Sequence, residues 1–122
     1  MSSDSSNLLV LNWLNNLIQG KINNEILLFR FYDQQKQQVN ASRKFINEFL
    51  LNKNKSNNNT KVLNINKISS VNKIKECYIN TNIILLAFQP IDIKKLNELK
   101  YKIIYNNYIS SFKFFSYLFQ NK

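Results

Sequence analysis

The side chains of this sequence that could act on another molecule are its cations. Seventeen Lys and Arg stand against seven Asp and Glu, a net charge of +10. Residues 1–20 hold one acid and no base, residues 21–60 seven bases and three acids, and residues 61–122 ten bases and three acids. A surplus of that size attracts polyanions, most commonly RNA or DNA phosphates. Only Arg30 and Arg43 are arginines, and a lysine bias suits point contacts with phosphates better than bidentate reading of bases. The candidate contacts are Arg30, Lys53, Lys55, Lys67, Lys73, Lys75 and Lys113. Lys53 and Lys55 fall in the polar run 52–60, which reads as an exposed loop, while Lys67, Lys73 and Lys75 gather near a single acid, Glu76. The competing reading of the same residues is a solvated lysine-rich surface. AT-rich codon use would produce it, together with the abundant Asn, Ile, Phe and Tyr.

Acid–base, nucleophilic and metal chemistry are poorly supplied. The chain has no His, so the commonest general base and metal ligand is missing, and a lone Cys77 cannot make an intrachain disulfide or a zinc cage. Cys77 is expected to be a small buried residue in a reducing compartment. One glycine, Gly20, leaves no loop that could cradle a phosphate, which excludes dinucleotide and P-loop enzymes. No enzyme, metal or cofactor is expected.

With 122 residues, 44% of them hydrophobic, the chain supports one packed domain. No segment approaches the roughly 18 to 20 uninterrupted apolar residues of a membrane-spanning helix. The polar start, residues 1–6, shows neither a secretory signal nor an arginine-rich transit peptide, so work in an organelle implies synthesis there or unusual entry. Residues 8–18 suit a helix with Ser5 or Ser6 as cap and Gly20 as terminator, apolar around most of its circumference. Residues 25–32 read as a strand with Leu27, Phe29 and Phe31 on one face and Ile26, Leu28, Arg30 and Tyr32 on the other. A helix over 34–51 buries Val39, Phe45, Ile46, Phe49 and Leu50. The stretch 61–68 alternates as a strand, and a second strand over 75–88 ends in the apolar run 83–88, closed by Pro90. Asp92 opens a helix over 91–105 with Ile93, Leu96, Leu99 and Ile103 on one face, Asn106-Asn107 breaks it, and a last strand covers 108–119.

The order is β-α-β-β-α-β. Two interleaved right-handed crossovers of this kind make a four-stranded antiparallel sheet with both helices on one face, the ferredoxin-like α+β fold. Residues 1–24 then form a helical extension and 25–119 the domain, with the strands at 25–32 and 83–88 central. The second face of this sheet is too apolar to be left in water, and either the helix 8–18 or a partner protein must cover it. Leu9, Trp13, Leu28 and Tyr32 are the candidate partner contacts.

In its run Glu25-Ile-Leu-Leu-Phe-Arg-Phe31, in residues 82–99 and in Ile104-Tyr-Asn-Asn-Tyr-Ile109, the chain resembles the family of ribosomal protein six of the bacterial small subunit. Glu25, Pro90, the pair Glu98-Leu99 and Asn106-Asn107 stand where that family places its opening glutamate, strand-ending proline, helical Glu-Leu pair and turn. Asn24, residues 69–78 and Ser110-Ser111 depart from the pattern, in the manner of a fast-drifting mitochondrial version. The resemblance implies a structural constituent of a mitochondrial small ribosomal subunit in the matrix, or of a ribosome in the cytoplasm of an AT-rich bacterium. Its partners would be small-subunit rRNA, held by lysines, and ribosomal protein eighteen, held on the sheet.

Three other readings share the element order or the composition. An RRM would carry spaced aromatics in its third strand, where this chain has only Phe88. An acylphosphatase-like enzyme would need glycine after the first strand, where the chain has Tyr32-Asp-Gln-Gln. An accessory subunit of a respiratory or other membrane-associated assembly, held by the helix 8–18 and the aromatic C-terminus, would have no RNA contact.

Overall fold

The computed structural model describes residues 2–31, 36–53, 59–65, 73–77, 80–88, 91, 93–105, 108–110, 113 and 116. Helix α1 (Ser2–Ile18) is followed by strand β1 (Glu25–Phe31), helix α2 (Lys36–Lys53), strands β2 (Thr60–Ile65) and β3 (Asn82–Ala87), helix α3 (Ile93–Asn97), and strands β4 (Lys102–Tyr105) and β5 (Tyr108–Ile109). The strands lie in the order β2-β3-β1-β4, with β5 beside β1, and every pairing is parallel.

This overturns the antiparallel ferredoxin-like expectation, and the reason lies in the two central strands. All six residues of β3 are buried, and in β1 only Glu25 and Arg30 are half-buried. Strands apolar on both faces need cover on both, which is the condition under which parallel sheets occur. From β1 the chain crosses past β3 to β2, and the next two crossovers run in the opposite direction across the sheet. If all three share the usual right hand, α2 must lie on one face and the later connections on the other.

The burial follows that rule. Over one face, Val10, Trp13, Leu14 and Leu17 of α1 and Val39, Ile46, Phe49 and Leu50 of α2 pack on Leu27, Phe29, Phe31, Val62, Ile84 and Leu86. Over the other, Ile74, Leu96 and Leu99 pack on Ile26, Leu28, Ile65, Ile83, Leu85 and Ala87. The result is a three-layer, doubly wound arrangement. Its second face is covered by the chain's own α3 side, whereas α1 covers the same face as α2. The alternation expected along β1 holds, since Leu27, Phe29 and Phe31 belong to the first core and Ile26 and Leu28 to the second.

Three element boundaries shift for local reasons. Residues 73–76 form a 3-10 turn, and Asn80 has a φ of 53°, so extended chain starts only at Asn82 and not at 75. The helix expected over 91–105 stops at Asn97. Ile103 and Ile104 begin a β-rich run that pairs with β1 instead. A register shift between Ile26 and Leu27 leaves one extra residue on the β4 side, and the new register is the same at Leu27–Tyr105 and Arg30–Tyr108. β4 and β5 are therefore two pieces of one edge, bulged once near its start. The last strand expected over 108–119 is described only at Tyr108–Ile109, and Lys113 and Ser116 are helical.

Gly20 ends α1 as the sequence implies. It has a φ of 70°, its N–H donates to the Leu17 carbonyl at 3.0 Å, and the Lys21 N–H donates to the Asn16 carbonyl at 2.9 Å, a Schellman closure. Asparagines then tie the amino ends of the strands together. Asn82, 3% exposed, accepts from the Glu25 N–H at 3.2 Å through Oδ1 and donates from Nδ2 to the Ile22 carbonyl at 2.8 Å. Asn24, with φ 53°, accepts from the Thr81 N–H at 3.2 Å through Oδ1, and its carbonyl takes the Lys102 N–H at 3.1 Å. Asn tolerates this left-handed backbone better than other residues with a side chain.

Two measurements check this packing. Phe29→Ala empties part of the first core and Leu85→Ala part of the second, so each is expected to lower unfolding free energy by about 2–5 kcal/mol in urea melts. A parental midpoint for both would refute the two-sided core. Asn82→Ala leaves the Glu25 N–H and Ile22 carbonyl without their partner and is expected to cost about 1–3 kcal/mol, whereas Asn97→Ala, exposed on α3, is expected to melt like the parent.

Candidate nucleic-acid interface

The α3 layer is thin, and its anchors dictate what it shows to solvent. In Ile93-Lys-Lys-Leu-Asn-Glu-Leu99, among the described side chains, Leu96 and Leu99 are buried, three apart, and Lys94, Lys95, Asn97 and Glu98 are exposed. In the 73–76 turn Ile74 is fully buried, and Lys73, Lys75 and Glu76 point outward. Lys100 is exposed between buried Leu99 and Tyr101. Five of these eight exposed residues are therefore lysine. On α1 and α2 eleven exposed residues are described, of which Arg43 and Lys44 are basic, and α2 also begins at Lys36 and ends at Lys53. α1 contributes no base at all between Ser2 and Ile18.

The structure brings two of the expected contacts, Lys73 and Lys75, onto the α3 layer. It adds Lys94, Lys95 and Lys100, which were not singled out from the sequence. Their signal was present in the Lys-Lys pair set between two core positions. Arg30 is elsewhere, half-buried at the carboxyl end of β1 in register with Ala87 and Tyr108. Lys113 is exposed, and its N–H donates to the Ser110 Oγ at 3.1 Å. Lys53 is the last residue of α2, and Lys55, Lys67 and Tyr32 lie outside the described residues. Lys61 is exposed on β2, at the sheet edge, where a charge discourages pairing with another chain.

Two of the four expected partner contacts are spent inside the fold. Leu28 is fully buried and Trp13 is 3% exposed, so neither is available to a neighbour. The Trp13 Nε1–H has no hydrogen-bond partner, a local cost of about 1–3 kcal/mol that its apolar packing must offset. Leu9, 41% exposed, and Leu51, 74% exposed, are the large apolar residues that remain at the surface among the described residues.

In doubly wound sheets, ligands bind outside the carboxyl ends of the strands where the crossovers diverge. Here that point lies between β1 and β3, whose connections leave in opposite directions. The sequence there, Tyr32-Asp-Gln-Gln after β1 and Phe88-Gln-Pro-Ile-Asp after β3, contains no glycine for a phosphate-cradling turn. Cys77 is half-buried beside the second core. Among the described residues no group of three His, Cys, Asp or Glu is placed to hold a metal ion, and no helix is long and apolar enough to cross a membrane. Comparison with protein-family models, with curated proteins and with solved structures gives no match.

Since α1 supplies four fully or nearly fully buried residues to the first core, removing residues 1–20 is expected to open that core to solvent. The truncated chain is expected to aggregate or form oligomers in gel filtration. A soluble monomer that melts like the parent would show that α1 is not the cover.

Proposed function

We propose that this protein is a non-catalytic, RNA-binding component of a ribonucleoprotein. The observation that carries the reading is the charge: a net +10, nearly all of its cations lysine, with a concentration of exposed lysines on elements anchored in the core. Lysine ammonium groups act as mobile point charges toward phosphates and release condensed counterions on binding, which favours association without base reading. The absence of histidine and of glycine-rich loops from the sequence supports a role without catalysis.

The mitochondrial small ribosomal subunit is the assembly in which to begin testing. The family resemblance that suggests it implies an antiparallel sheet with one face open to a partner. This chain's sheet is parallel and covered on both faces. The fold therefore lends that family, and the pairing with ribosomal protein eighteen, no support, and the reading rests on electrostatics and composition.

The test is the RNA content of the native particle. The chain, tagged at its C-terminus and purified under mild salt from its own source, is expected to bring RNA with it and to lose that RNA on ribonuclease treatment. A particle free of RNA would overturn the reading in favour of an accessory subunit of another assembly.

A further inference from the structure

We draw no further inference here: the strongest candidate, the surface patch of exposed Lys21, Lys61, Lys100 and Lys102 around the amino ends of the strands, belongs to the general lysine surplus on which the RNA reading already rests, and nothing in the structure shows what covers it.

Discussion

The pairing of β1 with β3 is the constraint on which the rest of the molecule depends. These two strands are parallel neighbours at the centre of the sheet, from Ile26 beside Ile83 to Arg30 beside Ala87, and nearly every side chain along them is buried. Parallel neighbours cannot be joined by a tight turn, so each connection must cross the sheet. Because both strands are apolar on both sides, the crossovers must be shared between the faces. α2 and α1 fill one side, and α3 with the 73–76 turn fills the other. The unequal thickness of these layers follows from the lengths of chain available, with two helices of 17 and 18 residues on one face and a five-residue helix and a turn on the other.

The amino ends of the strands require a separate solution, since parallel strands begin side by side and leave polar backbone groups at the same buried edge. Asn24 and Asn82 meet that need from two directions. Each asparagine side chain carries both an acceptor and two donors, so Asn82 can satisfy the Glu25 N–H and the Ile22 carbonyl at once. The left-handed conformation of Asn24 turns the chain into β1 while its carbonyl receives the first N–H of β4. Some of the asparagine that composition alone attributes to codon use is thus structural.

The elements of the first half were readable from sequence because their periodicities are long. β1, α2 and β2 fall close to their expected places, and Gly20 and the alternation of β1 act as the residues imply, whereas α1 starts at Ser2, so Ser5 and Ser6 lie inside the helix and do not cap it. The second half was harder because its elements are short and its breaks are made by Asn, which suits turns and also fills loops. Asn80 and the Lys100-Tyr101 corner mark boundaries that propensity does not. The strand pairing failed for a different reason. Apolar residues on both faces of residues 25–32 and 83–88 were visible, and they conflict with any sheet that leaves one face to solvent. Element order alone pointed to the antiparallel solution, and the burial pattern was the better guide.

For the candidate interface the same lesson applies at the level of single residues. Lys73 and Lys75 drew notice as a basic cluster, but Lys94 and Lys95 sit between Ile93 and Leu96 and so looked like ordinary helix surface. Only the placement of α3 and the 73–76 turn over one face of the sheet makes the four neighbours in a layer. Long-range topology, which no local pattern encodes, decides which cations add their fields together. The chain therefore sets two asparagine-rich helices on one side of the sheet and a short layer with several exposed lysines on the other.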